Sequence, residues 1–65
     1  MLILINDQYV APAHIVEVVA HPVARAVCVI LTNGREIRIE MDPTDSKERA
    51  VARVARYIMS KVAPQ

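Results

Sequence analysis

Residues 26–41 read AVCVILTNGREIRIEM, two β-rich runs on either side of Asn33-Gly34. Asn-Gly between such runs is typical of a β-hairpin with a two-residue type I′ turn, because both central residues of that turn need a positive φ. That turn length predicts these opposed pairs: Thr32 and Arg35, Ile30 and Ile37, Cys28 and Ile39, Ala26 and Met41. The last three pairs share one apolar face, which we expect to form the core.

The opposite face of this hairpin is apolar on one strand and charged on the other. It carries Val27, Val29 and Leu31 beside Glu36, Arg38 and Glu40. Ordinary solvated surface is less apolar than this row. We therefore expect Val27, Val29 and Leu31 to form a self-association surface. Two other coverings stay open: a different protein, or the first strand curling over the face as part of a small barrel.

The first 22 residues predict three further strands. Residues 1–5 are apolar on both alternating faces, a pattern typical of a strand covered on both sides. Asn6-Asp7 predicts a tight turn into residues 8–10, and Pro12 interrupts any ladder. Residues 15–20 predict the next strand, which ends at His21.

The C-terminal third predicts a helix over about residues 46–62, with Asp45 as its N-cap and Glu48 completing a capping box. One stripe of this helix is apolar and comprises Val51, Val54, Ala55, Ile58 and Val62. The nearly opposite face carries Arg49, Arg53, Arg56 and Ser60. We interpret these four residues as a candidate partner-binding face, with a simple solvated face as the alternative.

Together these elements predict one α+β domain over residues 1–65. It is an antiparallel three- or four-stranded sheet, or a small barrel, with one C-terminal helix. Domains of this size gain only about 3–5 kcal/mol from a single core. Cys28 is the only cysteine, so no disulfide within the chain can add to that stability. We therefore expect a homo-oligomer, most simply a dimer.

The net charge of +1 is unevenly distributed. Residues 1–45 hold three basic and six acidic side chains, whereas residues 46–65 hold five basic and one acidic. The basic end could dock onto an acidic protein patch or onto phosphates. A near-neutral chain with two tyrosines as its only aromatic residues favours a protein partner over nucleic acid.

Residues that carry catalysis or bind metals are not grouped in this sequence. His14 and His21 are seven residues apart and Cys28 is on a predicted strand, whereas zinc sites need three or four ligands at close, paired spacings. Gly34 is the only glycine, which excludes a P-loop or dinucleotide fingerprint. We expect no catalytic residue, metal or cofactor. The apolar start is too short for a signal peptide or a membrane span, so we expect a cytoplasmic protein.

Three segments of the chain form a recognisable series: YVAP at residues 9–12, IVEVV at 15–19 and VILTNG at 29–34. In this order the chain resembles the small FlbD-like proteins of bacterial flagellar operons, and short phage and prophage proteins of similar outline. The resemblance implies the fold described above and supplies no catalytic residue. Residues 1–5 are more apolar, and the helix more arginine-rich, than in that family.

These observations predict a non-enzymatic protein-interaction module. It would be a small adaptor, regulator or inhibitor of a larger bacterial or phage-encountered machine. The alternative is a nucleic-acid-binding regulator that uses the helix arginines.

Overall fold

The computed structural model describes residues 1–62 as five β-strands followed by one α-helix, with a 3₁₀ helix at Pro12–His14 between the second and third strands. The bounds are Ile3–Ile5 (β1), Gln8–Val10 (β2), Ile15–Ala20 (β3), Ala26–Leu31 (β4), Glu36–Glu40 (β5) and Lys47–Val62 (α1). β1 and β2 form an antiparallel hairpin, and β3, β4 and β5 form a separate antiparallel sheet in that order. The predicted α+β class with one C-terminal helix is confirmed. In the described part of the chain, the two sheets do not close into a barrel.

The β4–β5 hairpin has a three-residue loop, so the predicted register is wrong by one residue. The N–H of Leu31 donates to the carbonyl of Arg35 at 2.8 Å, and the N–H of Gly34 donates to the carbonyl of Leu31 at 2.9 Å. Gly34 has a φ of +87°, whereas Asn33 does not adopt a positive φ. A type I turn followed by a left-handed glycine accepts Asn-Gly as well as a type I′ turn does. The observed pairs are Val27–Ile39, Cys28–Arg38, Val29–Ile37 and Ile30–Glu36.

This shift exchanges the two faces of β4. Val27 and Val29 are 1% and 0% exposed, and Leu31 packs against the core. The prediction that Val27, Val29 and Leu31 form a self-association surface is therefore wrong, because Val27 and Val29 are buried inside the monomer and the partly buried Leu31 packs against its core. The outer face of the three-stranded sheet instead carries Glu17, Val19, Cys28, Ile30, Glu36 and Arg38.

The core lies between the β1–β2 hairpin, one face of the three-stranded sheet and α1. Its buried members are Ile3, Ile5, Val10, Val29, Ile37 and Ile58. Asn6 and Asp7 have φ values of +51° and +71°, so this hairpin contains the two-residue turn with two positive φ angles. Because side chains alternate along β1, Leu2 and Leu4 remain exposed. The covering predicted for both faces of residues 1–5 is therefore found on one face only.

The helix begins at Lys47, and its N-cap is Ser46 rather than Asp45. The hydroxyl oxygen of Ser46 accepts a hydrogen bond from the N–H of Arg49 at 3.1 Å, as an N-cap side chain does. Ala50 and Ile58 are buried and Val54 packs against the core. Val62, placed on the apolar stripe by its spacing, is exposed. Because proline cannot continue a helix, the sequence also predicts that the helix ends before Pro64, which lies outside the described residues.

Two basic side chains fix the helix to the sheet. The guanidinium of Arg25 donates to the carbonyl oxygens of Pro43 at 2.9 Å and Asp45 at 2.8 Å, in the connection between β5 and α1. The ammonium of Lys47 donates to the carbonyl of His21 at 2.9 Å. These bonds anchor the first turn of α1 over the β3–β4 loop.

The observed register predicts opposite effects of one substitution at two neighbouring positions. Val29→Lys places an unpaired ammonium group in the core, and we expect the variant to be unfolded in far-UV circular dichroism at neutral pH. Ile30→Lys places the same group on the partly exposed outer face between Glu17 and Glu36, and we expect it to fold. If Val29→Lys folded and Ile30→Lys did not, the register predicted from a two-residue turn would be the correct one.

Candidate functional site

The arginines of α1 lie together on an exposed face of the helix. Arg49, Arg53 and Arg56 line, with Ala52, a surface cleft of about 290 Å³. Their spacings of four and three residues place them on successive turns of one side. The structure thus brings the three predicted arginines into one cluster.

Arg53 differs from its two neighbours because it is paired. Its guanidinium forms an ion pair with the carboxylate of Asp45, whose side chain is largely buried. The hydrogen bond from Arg53 lowers the pKa of Asp45 below its ordinary value. Part of the positive charge of the cluster is therefore neutralised within the chain. Among the described residues, this is the only ion pair, and Arg49 and Arg56 keep their charges exposed to solvent.

Ser60 is the fourth residue predicted for this face, and the structure places it outside the cluster. Its hydroxyl donates to the carbonyl of Tyr57 at 2.8 Å, one turn back in the helix. It does not line the arginine cleft. The docking surface available on this face is therefore Arg49, Arg56 and the outer side of Arg53.

The Asp45–Arg53 pair predicts a loss of stability in acid. Asp45 has a lower pKa in the folded chain than in the unfolded chain, so its contribution is present above about pH 4 and disappears as pH falls through the lowered folded value. In urea unfolding, we expect Asp45→Asn to be less stable than the parent at pH 6 or so, with the gap closing in stronger acid. A gap of the same size at both pH values would contradict this role. Arg53→Gln should reproduce the pattern, because it removes the cause of the shift.

A second candidate surface is the outer face of the β1–β2 hairpin. Leu4 and Tyr9 are opposite each other across the hairpin, and Leu2 lies on the same face. Leu2 is 62% exposed and Tyr9 is 70% exposed. Tyr57 of α1 adjoins them, because its hydroxyl donates to the carbonyl of Leu4 at 2.8 Å. We call these four residues, Leu2, Leu4, Tyr9 and Tyr57, the hairpin patch.

The hairpin patch continues into an apolar cleft of about 320 Å³ between β1, β5 and α1. The residues that line it are Leu4, Ile5, Asn6, Ile39, Arg53, Val54 and Tyr57. At one end, the side-chain amide of Asn6 donates to the carbonyl of Arg38 at 2.9 Å and joins β1 to β5. The cleft therefore lies at the seam between β1 and β5, the unpaired strands that would have to pair to close a barrel. It has room for an apolar side chain from another molecule.

The sequence contained a signal for the hairpin patch, although our prediction did not use it as a site. Residues 1–5 have an apolar row on each face, so burying both rows would need a packing element on each side. A domain with one helix can pack it on one side only. The structure covers the row that contains Ile3 and Ile5 and leaves Leu2 and Leu4 exposed. Tyr57 of α1 completes the patch, because its hydroxyl donates a hydrogen bond to the carbonyl of Leu4 in β1.

The side chains of His21 and Cys28 have structural partners. The Nδ1 atom of His21 accepts hydrogen bonds from the N–H groups of Val23 at 3.1 Å and Ala24 at 2.9 Å, which holds the β3–β4 loop. The thiol of Cys28 donates to the carboxylate of Glu36 at 3.0 Å. Burial raises the pKa of Cys28, and that hydrogen bond raises it further. In the part of the chain that the structure describes, no three His, Cys, Asp or Glu side chains are grouped to hold a metal ion.

Comparisons with protein-family models, with curated proteins and with solved structures find no match to this chain. The resemblance to FlbD-like and phage proteins therefore stays a prediction. Among residues 1–62, no helix is both long and apolar enough to cross a membrane.

Proposed function

We propose that this chain is a non-enzymatic protein-interaction module. It acts in the cytoplasm as a small adaptor, regulator or inhibitor of a larger bacterial or phage-encountered machine. The observation that carries the proposal is the hairpin patch, an exposed apolar surface continuous with an apolar cleft. Contiguous apolar surface of this kind marks interaction sites on small proteins.

The composition of the hairpin patch supports a protein partner. Tyrosine is enriched at interaction hot spots because it combines a large apolar body with a hydroxyl and few rotatable bonds. Tyr9 is exposed and Tyr57 is held in place by its bond to Leu4. A partner side chain inserted beside Leu4 would be enclosed by β1, β5 and α1. Arg49 and Arg56 add a basic flank suited to acidic residues of the partner.

The proposal includes that the chain is not an enzyme. Its support is that the side chains best suited to catalysis form structural hydrogen bonds or an ion pair within the chain. The carboxylate of Asp42 accepts two hydrogen bonds from Thr44, at 2.8 Å from its N–H and 2.6 Å from its hydroxyl. Asp45 is paired with Arg53, and the Cys28 thiol is bonded to Glu36. Each of these groups stabilises a turn, a helix start or a sheet face.

Site-specific photo-crosslinking in a bacterial lysate tests the proposal. A photoreactive amino acid in place of Tyr9 should crosslink to protein, because it sits in the hairpin patch. The same amino acid in place of Val23 is the matched control, since Val23 is also a well-exposed apolar residue but lies in the β3–β4 loop. Equal, low crosslinking at both positions would contradict an interaction function for this face.

A second candidate function is nucleic-acid binding, and the observation that favours it is the shared cleft of Arg49, Arg53 and Arg56. Three phosphate contacts would give a slope of roughly −3 in a plot of log affinity against log salt concentration, at about −0.9 per contact. Fluorescence anisotropy with a labelled DNA duplex measures that slope. We expect the protein-interaction module to show no such binding. Salt-dependent binding that disappears in an Arg49→Gln, Arg56→Gln double variant would favour the alternative.

A further inference from the structure

We propose that the apolar cleft between β1, β5 and α1 and the arginine cleft of α1 form one binding site for a short acidic segment of another protein. The segment inserts a large apolar side chain into the apolar cleft and places a carboxylate on the arginines. This inference rests on the proposed function and names the chemistry of the partner. The two clefts meet at Arg53, which lines both of them.

The apolar cleft suits a hydrocarbon side chain. Apolar residues from three elements line it: Leu4 of β1, Ile39 of β5 and Val54 of α1. The ring of Tyr57 adds an aromatic wall, held by the hydrogen bond from its hydroxyl to the Leu4 carbonyl. Leu4 is 45% exposed, so a bound apolar group would remove hydrocarbon surface from water. A phosphate backbone offers no group of this kind, whereas a leucine, isoleucine or phenylalanine side chain does.

The arginine cleft has hydrogen-bond donors to spare. Arg53 pairs with Asp45 through its Nη1 atom, yet 63% of the Arg53 side chain is exposed. A guanidinium has five N–H donors, so Arg53 can bind a second carboxylate while it keeps the first. Arg49 and Arg56 lie one turn before and one turn after it, and both side chains are exposed. Guanidinium groups bind carboxylates through paired hydrogen bonds, so an acidic side chain is a fitting ligand.

The charges around the two clefts are mostly positive. Besides the helix arginines, the ammonium of Lys61 lies 5.5 Å from the ring centroid of Tyr57, and Arg35 borders the hairpin patch. The opposite charge is carried by Asp45, which is already paired, and by Asp7 in the β1–β2 turn. A two-fold contact would bring this cationic border against its own copy, which is repulsive. An acidic segment of a different protein is instead attracted to it.

The shared wall limits the spacing between the two groups of the ligand. Because Arg53 separates the clefts, the apolar anchor and the carboxylate lie on either side of one arginine side chain. An extended chain advances about 3.3 Å per residue, so three residues span about 10 Å, enough to pass from one side to the other. We therefore expect the acidic residue of the segment within about three residues of its apolar residue.

Selection of phage-displayed random peptides against the full chain tests the chemistry of the site. We expect the enriched peptides to carry aspartate or glutamate within about three residues of a large apolar residue. Enriched peptides that are no more acidic than the unselected library would overturn the inference. A selection that enriches no peptide would overturn it as well.

Variants of the chain then locate the bound peptide. In fluorescence anisotropy with the most enriched peptide, an Arg49→Gln, Arg56→Gln double variant should raise the Kd by about tenfold. Leu4→Glu should also raise it, because it places a carboxylate in the apolar cleft. The matched controls are Arg38→Gln, on the outer face of the sheet, and Val23→Glu, in the β3–β4 loop. Both should leave the Kd unchanged, and circular dichroism confirms that each variant is folded.

The outcomes separate this inference from the function on which it rests. A Kd that the double variant leaves unchanged, or that Arg38→Gln raises equally, would overturn it. A DNA duplex that displaces the peptide would assign the arginines to nucleic acid, and self-association lost in the double variant would assign the site to a second copy. Either result would overturn it too. If position 9 still crosslinks to protein, the proposed interaction function stands; if it crosslinks to none, both fail.

Discussion

Val29 lies at the centre of the three-stranded sheet, between Val18 of β3 and Ile37 of β5. It is fully buried, and the hairpin and the helix contribute Ile3, Ile5, Val10 and Ile58 to the same cluster. The position depends on the three-residue loop that ends at Gly34, because a loop one residue shorter would turn Val29 outward. Both sheets and α1 can therefore share one core only in this register.

The strands, the helix and the α+β class could be predicted because each element has its own periodicity or turn signal. The register could not, since Asn-Gly suits two loop lengths and β4 is apolar on both faces. Ile37 and Ile39 alternate with charged residues and identify the core face of β5, but they do not say which face of β4 they meet. The N-cap was also ambiguous, because Asp45 and Ser46 are adjacent residues that both suit the position. In the structure the Asp45 carboxylate forms an ion pair with Arg53, eight residues away, and the Ser46 hydroxyl caps the helix.

The two candidate sites also differ in whether the sequence alone could locate them. The cluster of Arg49, Arg53 and Arg56 follows from helical periodicity, so the sequence was enough to locate it. The hairpin patch combines Leu4 with Tyr57, residues more than fifty positions apart that meet through one hydrogen bond. No local pattern contains that contact. The proposed function accordingly depends on the surface that periodicity alone did not reveal.

The seam beside the β1–β2 hairpin has a further consequence for internal motion. Within residues 1–62, β1 is joined to β5 by the Asn6 side chain, with no backbone ladder between the two strands. We therefore expect the hairpin to open as a cooperative unit, at a free-energy cost below that of global unfolding. Its amide hydrogens should exchange with solvent through this partial opening, and those of β4, bonded on both sides, through complete unfolding. The two sheets are thus linked by the shared core and by side-chain hydrogen bonds, and each backbone ladder stays within its own sheet.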